Sequence, residues 1–130
     1  MITTGVDIIE LDRISDVINR WGKRFLHRIY TRDEQTYCRG RIPQLAGRFA
    51  AKEAVMKALG TGVRGVGWKE IEILRQRGKR PTIQLNGRAK IFASTNGYSD
   101  FSISISHSRE YAVAFVIGEK QSSTKDEQTL

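Results

Sequence analysis

The sequence predicts an α+β fold in which an antiparallel sheet packs against one long helix, with shorter helices near the N-terminus. Apolar residues recur at helical spacing through the first half of the chain, and the segment from Pro43 to Leu59 is long enough for several helical turns. In the second half, short segments alternate between apolar and polar residues and are separated by turn residues, which is typical of antiparallel hairpins. The 130 residues should form one domain over 1–118, followed by a polar tail over 119–130 that we expect to be disordered.

The first elements are one strand and three short helices. Ile2–Ile9 predicts a short buried strand. Apolar residues then recur at i, i+3, i+4 and i+7, at Ile14, Val17, Ile18 and Trp21, which indicates an amphipathic helix ending near Gly22. Lys23–Tyr30 predicts a second helix, and Thr31 stands three residues before Glu34, the spacing of a capping box that begins a third.

The long helix carries its own start and stop signals. Pro43 fits its first turn, and Gly60 fits a left-handed cap just after Leu59. Beyond it, Trp68–Leu74 and Thr82–Asn86 alternate as strands and should pair as a hairpin.

The last third of the chain predicts one helix and a second hairpin. Gly87–Thr95 should be a short helix that ends at Asn96 and Gly97. Alternation at Phe101, Ile103 and Ile105 predicts a half-buried strand, and Tyr111–Ile117 is almost wholly apolar, so we expect it to be the buried partner strand.

Composition narrows the classes of function. A formal charge of +8 and a pI near 10 imply an acidic partner: nucleic acid, an anionic membrane surface, a phosphorylated ligand or an acidic protein. Cys38 is the only cysteine, and there are two histidines, so a disulfide framework and a Cys/His zinc site are both excluded. No signal peptide or membrane-spanning run is apparent, so we expect a cytoplasmic protein without a membrane partner.

Two acidic residues lie at positions where an ionised carboxylate is unusual unless it has a function. Asp7 lies in an otherwise apolar segment, where desolvation of its charge is costly unless a cation or several donors face it. On the long helix, Glu53 and Lys57 are one turn apart on a face shared with Ala46 and Ala50. A metal-bound phosphate would suit this small, charged face. The alternative is a solvated Glu53–Lys57 pair worth about 0.3–0.5 kcal/mol, with Asp7 capping a turn.

Two further signals remain open from the residues alone. Gly60–Gly65 matches G-x-G-x-x-G but follows a helix and leads into a strand, the reverse of the dinucleotide-binding context. This loop, which includes Gly62, is either an ordinary connection or a wrap around a phosphorylated ligand. His107 keeps the phase of Ile103 and Ile105, which predicts a hydrogen-bonded, partly buried histidine or a contact with a phosphate or ribose.

Cations crowd the early helices. They are Arg13, Arg20, Lys23, Arg24, Arg28, Arg32, Arg39 and Arg41, with Phe25 and Tyr30 among them. This pattern fits a solvated basic face, a surface for RNA, or a docking face for an acidic protein.

Several motifs together resemble those of the short phosphopantetheinyl transferases called holo-acyl-carrier-protein synthases. They are Gly5-Val6-Asp7, Thr31–Glu34, Arg48–Gly62, Trp68 with Ile71–Ile73, and Ser104–Ala112. The resemblance implies the 4′-phosphopantetheinyl transferase-like fold. It also implies transfer of the 4′-phosphopantetheine arm of coenzyme A to a serine of apo acyl carrier protein, which releases adenosine 3′,5′-bisphosphate and serves fatty-acid synthesis. The alternatives are a basic RNA-binding module or a carrier-binding module without catalysis.

The resemblance also implies roles for particular residues. Asp7 and Glu53 would hold Mg²⁺, and Glu53 would accept the serine proton directly or through water. Lys57 would neutralise phosphate charge, and Arg48, Lys57, Gly62 and His107 would contact coenzyme A. The expected docking residues for the acidic carrier are Arg13, Arg20, Arg24, Phe25 and Arg28. Short members of the family form homotrimers with sites at subunit interfaces, and Ile9 stands where longer relatives carry a second acid.

Overall fold

A computed structural model describes residues 1–122. The helices are α1 (Leu11–Trp21), α2 (Lys23–Ile29), α3 (Arg32–Cys38), α4 (Ile42–Leu59), α5 (Gly62–Gly65) and α6 (Gly87–Thr95), with a 3₁₀ turn at Trp68–Glu70. The strands are β1 (Ile2–Glu10), β2 (Ile71–Leu74), β3 (Thr82–Leu85), β4 (Tyr98–His107) and β5 (Tyr111–Lys120). The predicted α+β class and antiparallel pairing are confirmed.

The strands form two antiparallel sheets. The larger sheet has the order β1-β5-β4, so the first strand of the chain pairs with the last one described, with Ile2 opposite Glu119. The smaller sheet is the β2–β3 hairpin. Within the larger sheet, Asp7 lies opposite Ala114, and Ala114 lies opposite Ile105, so these three side chains share one face.

Helix α4 lies against that face and forms the centre of the core. Small residues line its buried surface: Ala46, Gly47, Ala50, Ala51, Ala54 and Ala58. They permit a close approach to the sheet, because a Cβ atom at Gly5 would lie 2.9 Å from the backbone nitrogen of Ala58, and one at Gly47 would lie 2.8 Å from Cγ2 of Ile105. The helix therefore crosses the sheet from β4, near its N-terminus, to β1, near its C-terminus.

Local signals placed most helix ends correctly. The capping box is present, with the Thr31 side chain accepting from the Glu34 amide and the Glu34 side chain accepting from the Thr31 amide. Gly60 caps α4 with a φ of 75°, a left-handed conformation that glycine adopts without strain.

Four expectations need correction. Trp68–Glu70 was expected to be strand but forms the 3₁₀ turn, because the Glu70 side chain accepts from the Gly67 amide and closes the turn. Val63 and its neighbours form the short α5 rather than an open loop. The expected tail over 119–130 overlaps the end of β5, and residues 123–130 lie outside the described part of the chain.

The fourth correction concerns burial of the larger sheet. Strands β1 and β5 were expected to be buried, yet each buries only the face that α4 covers. On the other face, Val6 is 52% exposed and Ile8 63%, while Phe115 and Ile117 are 42% and 40% exposed. Val6 lies opposite Phe115, so these side chains form one apolar surface on the sheet. Within residues 1–122, no helix is long and apolar enough to cross a membrane.

Candidate active site

Asp7 on β1 faces Lys57 on α4. The Nζ atom of Lys57 lies 3.2 Å from Oδ1 of Asp7 and donates to the carbonyl oxygen of Val6 at 2.9 Å. The side chain of Asp7 is 13% exposed, whereas that of Lys57 is 56% exposed. The alternative in which Lys57 pairs with Glu53 in solvent is not what the structure shows, since Lys57 reaches across to the strand. Asp7 does not cap a turn but lies within β1.

Glu53 is the second carboxylate of this group. It is half-buried on α4, and its pKa is raised above the ordinary value of 4.5. Burial is the largest cause, and the negative charge of Asp7 is the next. The positive charges of Lys57 and Arg13 oppose the shift. The two carboxylates are therefore close enough to repel each other, and a cation bound between them would relieve that repulsion.

The donor set fits a hard divalent cation. Asp7 and Glu53 supply carboxylate oxygens, the ligand type that Mg²⁺ prefers, and Mg²⁺ usually retains several waters beside one or two carboxylates. In the described residues, no third histidine, cysteine or acidic residue joins them. Ile9, on the same face of β1 two residues beyond Asp7, is buried and apolar. A metal held here would take its remaining ligands from water and substrate.

The alanines that flank this group are not free to contact a ligand. Ala46 and Ala50 are fully buried, so the space beside them is filled by the protein itself. The expectation that this small face of α4 accommodates a metal-bound phosphate is therefore wrong at these alanines, although Glu53 and Lys57 remain accessible at its edge.

Arg48 lies away from the carboxylates. It is 3% exposed, its guanidinium stacks 4.4 Å from the centre of the Tyr37 ring, and its Nη1 donates to the Gln44 carbonyl at 3.3 Å. Its Nε and Nη2 atoms are buried and have no hydrogen-bond partner among the described residues. A buried cation with unpaired donors is costly and is suited to an anion.

An arginine-rich cavity adjoins the Tyr37 ring. Its volume is about 660 Å³, and its lining is Thr36, Tyr37, Arg39, Arg41, Arg75, Arg77 and Gly78. Sequence reasoning placed Arg39 and Arg41 with the early basic helices and assigned no role to the β2–β3 turn. Arg75 and Arg77 are recognisable in the sequence as basic residues, but only the fold brings them beside α3.

His107 and Gly62 are the remaining expected contacts of coenzyme A. His107 is exposed at the end of β4, so the prediction of a partly buried histidine is wrong. It shares the inner face of the sheet with Asp7 but lies two strands away, a sideways separation of about 10 Å by the usual strand spacing, in register with Ile9 rather than with Asp7. Gly62 begins α5 beyond the C-terminus of α4, with a φ of 61° and open space where a side chain would be.

One chain therefore assembles part of the expected site. Asp7, Glu53 and Lys57 come together at the β1 edge. Arg48 faces α3, and His107 lies at the opposite, β4 edge of the same sheet.

The expected docking residues lie on α1 and α2. Arg24, Phe25 and Arg28 line a cavity of about 460 Å³ together with Trp21. Arg20 and Arg24 stack over the Trp21 ring at 5.4 and 5.9 Å, so the apolar surface is bordered by cations. Sequence reasoning treated Trp21 only as part of the apolar stripe of α1, yet it is half exposed. Arg13, in the first turn of α1, lies near enough to Glu53 for its positive charge to oppose the rise in the pKa of that carboxyl.

A buried ion pair lies on the other side of α4. Nζ of Lys52 is 2.8 Å from Oε1 of Glu34, and both side chains are 0% exposed. Sequence reasoning found Glu34 as a capping residue but gave Lys52 no role. Burial lowers the pKa of Lys52, and the charge of Glu34 opposes that shift.

The fold and the site define a small α+β protein whose paired carboxylates and adjacent ammonium have the chemistry that phosphoryl transfer requires. The family model described as 4′-phosphopantetheinyl transferase superfamily matches residues 3–116. The chain belongs to this superfamily.

Proteins similar to this chain match it over most of their length. A holo-[acyl-carrier-protein] synthase of Gloeobacter violaceus is 52% identical over 116 residues, which cover 86% of this chain and 88% of the relative. The crystal structure of the Neisseria meningitidis holo-[acyl-carrier-protein] synthase has a TM-score of 0.85 at 36% identity, over 92% of this chain and 100% of that chain. The Helicobacter pylori synthase, crystallised in complex with coenzyme A, has a TM-score of 0.82 at 31% identity, over 89% and 99% of the two chains.

Proposed function

We propose that this protein transfers the 4′-phosphopantetheine group of coenzyme A to a serine of apo acyl carrier protein, releasing adenosine 3′,5′-bisphosphate, in support of fatty-acid synthesis. The observation that carries the proposal is the grouping of Asp7, Glu53 and Lys57 in a chain that belongs to the phosphopantetheinyl transferases. The Helicobacter pylori relative was crystallised with coenzyme A, which makes that molecule the donor to test.

In this proposal Asp7 and Glu53 hold Mg²⁺. Bound there, Mg²⁺ would neutralise charge on the pyrophosphate of coenzyme A. Lys57 keeps its ammonium at the rim, where it can contact a phosphate oxygen while remaining oriented by Asp7 and the Val6 carbonyl. Glu53 accepts the proton of the carrier serine in this proposal, directly or through a water.

The remaining contacts of coenzyme A come from Arg48, Gly62 and His107. Arg48 has unpaired donors and lies beside the arginine-rich cavity, which suits a phosphate group. Since Arg48 and His107 lie away from the carboxylates of their own chain, we propose that a second copy brings them to the site. The protein would then act as a homotrimer with sites at subunit interfaces.

The apolar outer face of the larger sheet supports this assembly. Val6, Ile8, Phe115 and Ile117 are too exposed for a surface that meets only water, and contiguous apolar patches commonly mark interfaces. The serines of β4 lie next to them, because Ser104 is opposite Phe115 and Ser102 is opposite Ile117. This surface is distinct from the cavity on α1 and α2, so both can be occupied at once.

The acidic carrier docks on α1 and α2 in this proposal. Arg13, Arg20, Arg24 and Arg28 would meet its carboxylates, and Phe25 and Trp21 would receive an apolar side chain in the cavity between them. Arg13 shares α1 with Arg20 and Trp21 and lies near Glu53, so a serine presented by the docked carrier would arrive beside the carboxylates.

The test is intact mass spectrometry of apo acyl carrier protein incubated with the protein, coenzyme A and Mg²⁺. We expect a mass gain of one phosphopantetheine arm that is lost with EDTA and with Glu53→Gln. Carrier binding without a mass gain would indicate a catalytically silent module. No binding to carriers, together with salt-sensitive binding to generic RNA, would replace the proposal with an RNA-binding function.

A further inference from the structure

The contact between α4 and the larger sheet is smooth. Alanine and glycine line the helix surface that meets β1, β5 and β4, and the strand contributes Gly5 at the closest point. Helices resist sliding and rotation when side-chain ridges enter grooves of the partner surface, and residues this small form shallow ridges. The smooth contact brings α4 close to β1, but it specifies the rotation of the helix weakly.

The hydrogen bonds of Lys52 can fix the rotation of α4, which the contact with the sheet specifies weakly. On the opposite side of α4, its ammonium donates to Oε1 of Glu34 at 2.8 Å, to the Trp68 carbonyl at 3.0 Å and to the Ile71 carbonyl at 2.6 Å. An ammonium has three N–H donors, so each one is satisfied in a different direction. The side chain is therefore fixed relative to α3, the 3₁₀ turn and β2 together.

Glu34 is held equally firmly. Its Oε1 accepts from the Thr31 amide at 2.7 Å, and its Oε2 accepts from the Ile73 amide at 2.9 Å. The carboxylate thus joins the start of α3 to the edge of β2 before it meets Lys52. The Glu34 carboxylate that binds Lys52, which we call the anchor, is therefore held in place by the backbone and is not a mobile surface group.

Stability alone gives no reason for such a pair. Removing two charges from water costs about as much as their attraction returns, and apolar residues of similar size often replace buried ion pairs without loss. The best supported use of a buried polar contact is to fix register between packed elements. Lys52 directly precedes Glu53, so the register that it fixes is that of a carboxylate proposed to hold the metal.

We propose that Lys52 and Glu34 are positioning residues for the paired carboxylates: their buried contact sets the rotation of α4 so that Glu53 meets Asp7 across the helix–strand junction. The inference rests on the proposed function only because it assumes that Asp7 and Glu53 hold the metal. A rotation of α4 by about 20° would move a side-chain carboxylate by roughly 2 Å, given a Cα radius of about 2.3 Å and the added reach of the side chain. Metal–ligand distances tolerate only about ±0.2 Å.

The experiment compares Lys52→Met with Val55→Ala. Val55 is also fully buried on α4, so its truncation destabilises the same helix without removing the anchor. The first readout needs no metal: the nuclear Overhauser contact between the Hα protons of Gly5 and the amide proton of Ala58, two groups that pack together across the junction. The second is the affinity for Mn²⁺, and both are measured at a temperature where circular dichroism shows folded protein.

We expect Lys52→Met to lose the Gly5–Ala58 contact and about 10–100-fold in Mn²⁺ affinity, in the range found for residues that orient metal ligands. Val55→Ala should retain both. Equal values for the two variants in both readouts would overturn the proposal and leave Lys52 a purely structural residue. If Lys52→Met does not fold, Glu34→Gln, which removes the charge at nearly constant shape, is judged by the same criteria. A wild-type protein that neither binds Mn²⁺ nor transfers phosphopantetheine would instead contradict the proposed function. The Gly5–Ala58 contact would still show whether Lys52 sets the rotation of α4 against β1.

Discussion

Lys57 and Asp7 are 50 positions apart in the sequence, and their charged atoms lie 3.2 Å apart. The contact joins an edge strand to the central helix at the point where Glu53 also projects. The ammonium therefore offsets two carboxylates that would otherwise repel each other without compensation. When both carboxylates are ionised, Asp7, Glu53 and Lys57 together carry one net negative charge, so a metal ion and a phosphate can replace part of the charge compensation that Lys57 provides.

Glu53→Gln should abolish transfer and stabilise the metal-free protein. We expect kcat to fall at least about 100-fold, because a bound metal ion contributes several kcal/mol to stabilising the transition state. The folded-state pKa of Glu53 is raised, so ionisation of this group opposes folding as the pH rises from its ordinary value of 4.5. Glutamine removes that effect.

The measurement for Glu53 is the melting temperature of the metal-free protein against pH, with and without Mg²⁺. The wild type should lose stability relative to Glu53→Gln above the ordinary glutamate pKa and recover it when Mg²⁺ is added. Glu72→Gln, on β2 and away from the pair, is the matched control. Equal Mg²⁺ stabilisation of wild type and Glu53→Gln would contradict the metal assignment.

Arg24→Glu should weaken carrier recognition selectively. We expect KM for the carrier to rise by about tenfold or more, because reversing a charge at the border of an interface slows association with an acidic partner. KM for coenzyme A should be unchanged. Steady-state kinetics with each substrate varied in turn measures both values, and Lys90→Glu, which makes the same charge change at an exposed position on α6, is the control. Equal increases in the two KM values for Arg24→Glu would count against the docking surface.

Phe115→Lys should dissociate the proposed trimer. The substitution places a charge in the centre of the exposed apolar face of the sheet, where Phe115 lies opposite Val6. Analytical ultracentrifugation should show trimers for wild type and monomers for the variant, with transfer activity lost in parallel. Ile91→Lys is the control, because Ile91 is 67% exposed on α6. A wild-type protein that sediments as an active monomer would disprove the shared-site arrangement.

Gly5→Ala should destabilise the fold by about 1–3 kcal/mol or more, the usual cost of overpacking. The new methyl group would meet the backbone of α4 at Ala54 and Ala58, and backbone atoms cannot move aside as a flexible side chain can. Urea denaturation measures the change in the free energy of unfolding. Thr4→Ala, on the other face of the same strand, should change it little, and a similar loss in both variants would show that the close approach to α4 is not the cause.

The sequence was sufficient to predict a structural feature wherever that feature depends on neighbouring residues. The Thr31–Glu34 capping box, Pro43 and Gly60 located helix ends, because caps depend on neighbouring residues only. The position of Asp7 in an apolar strand was enough to predict a facing cation, and the structure supplies Lys57.

Other features depend on tertiary packing and could not be read locally. The apolar outer faces of β1 and β5 look like buried strands in the sequence, because an interface and a core have the same composition. Arg48 and Lys52 are both cations on one helix, and only the fold shows that, within residues 1–122, Arg48 has donors without a hydrogen-bond partner while the ammonium of Lys52 donates three hydrogen bonds. The 3₁₀ turn at Trp68 depends on a glutamate that also contacts the start of α6, through the Arg88 amide.

The pairing of Ile2 with Glu119 has a consequence for biosynthesis. During translation β1 is made before its partner strand, which is complete only after more than a hundred further residues have been added, on the order of 5 to 25 seconds at ordinary elongation rates. Until then β1 has no strand to pair with, and Asp7 has no fixed position opposite α4. Pairing of β1 within the larger sheet therefore cannot precede synthesis of β5, so the sheet that presents Asp7 to α4 is completed only at that stage.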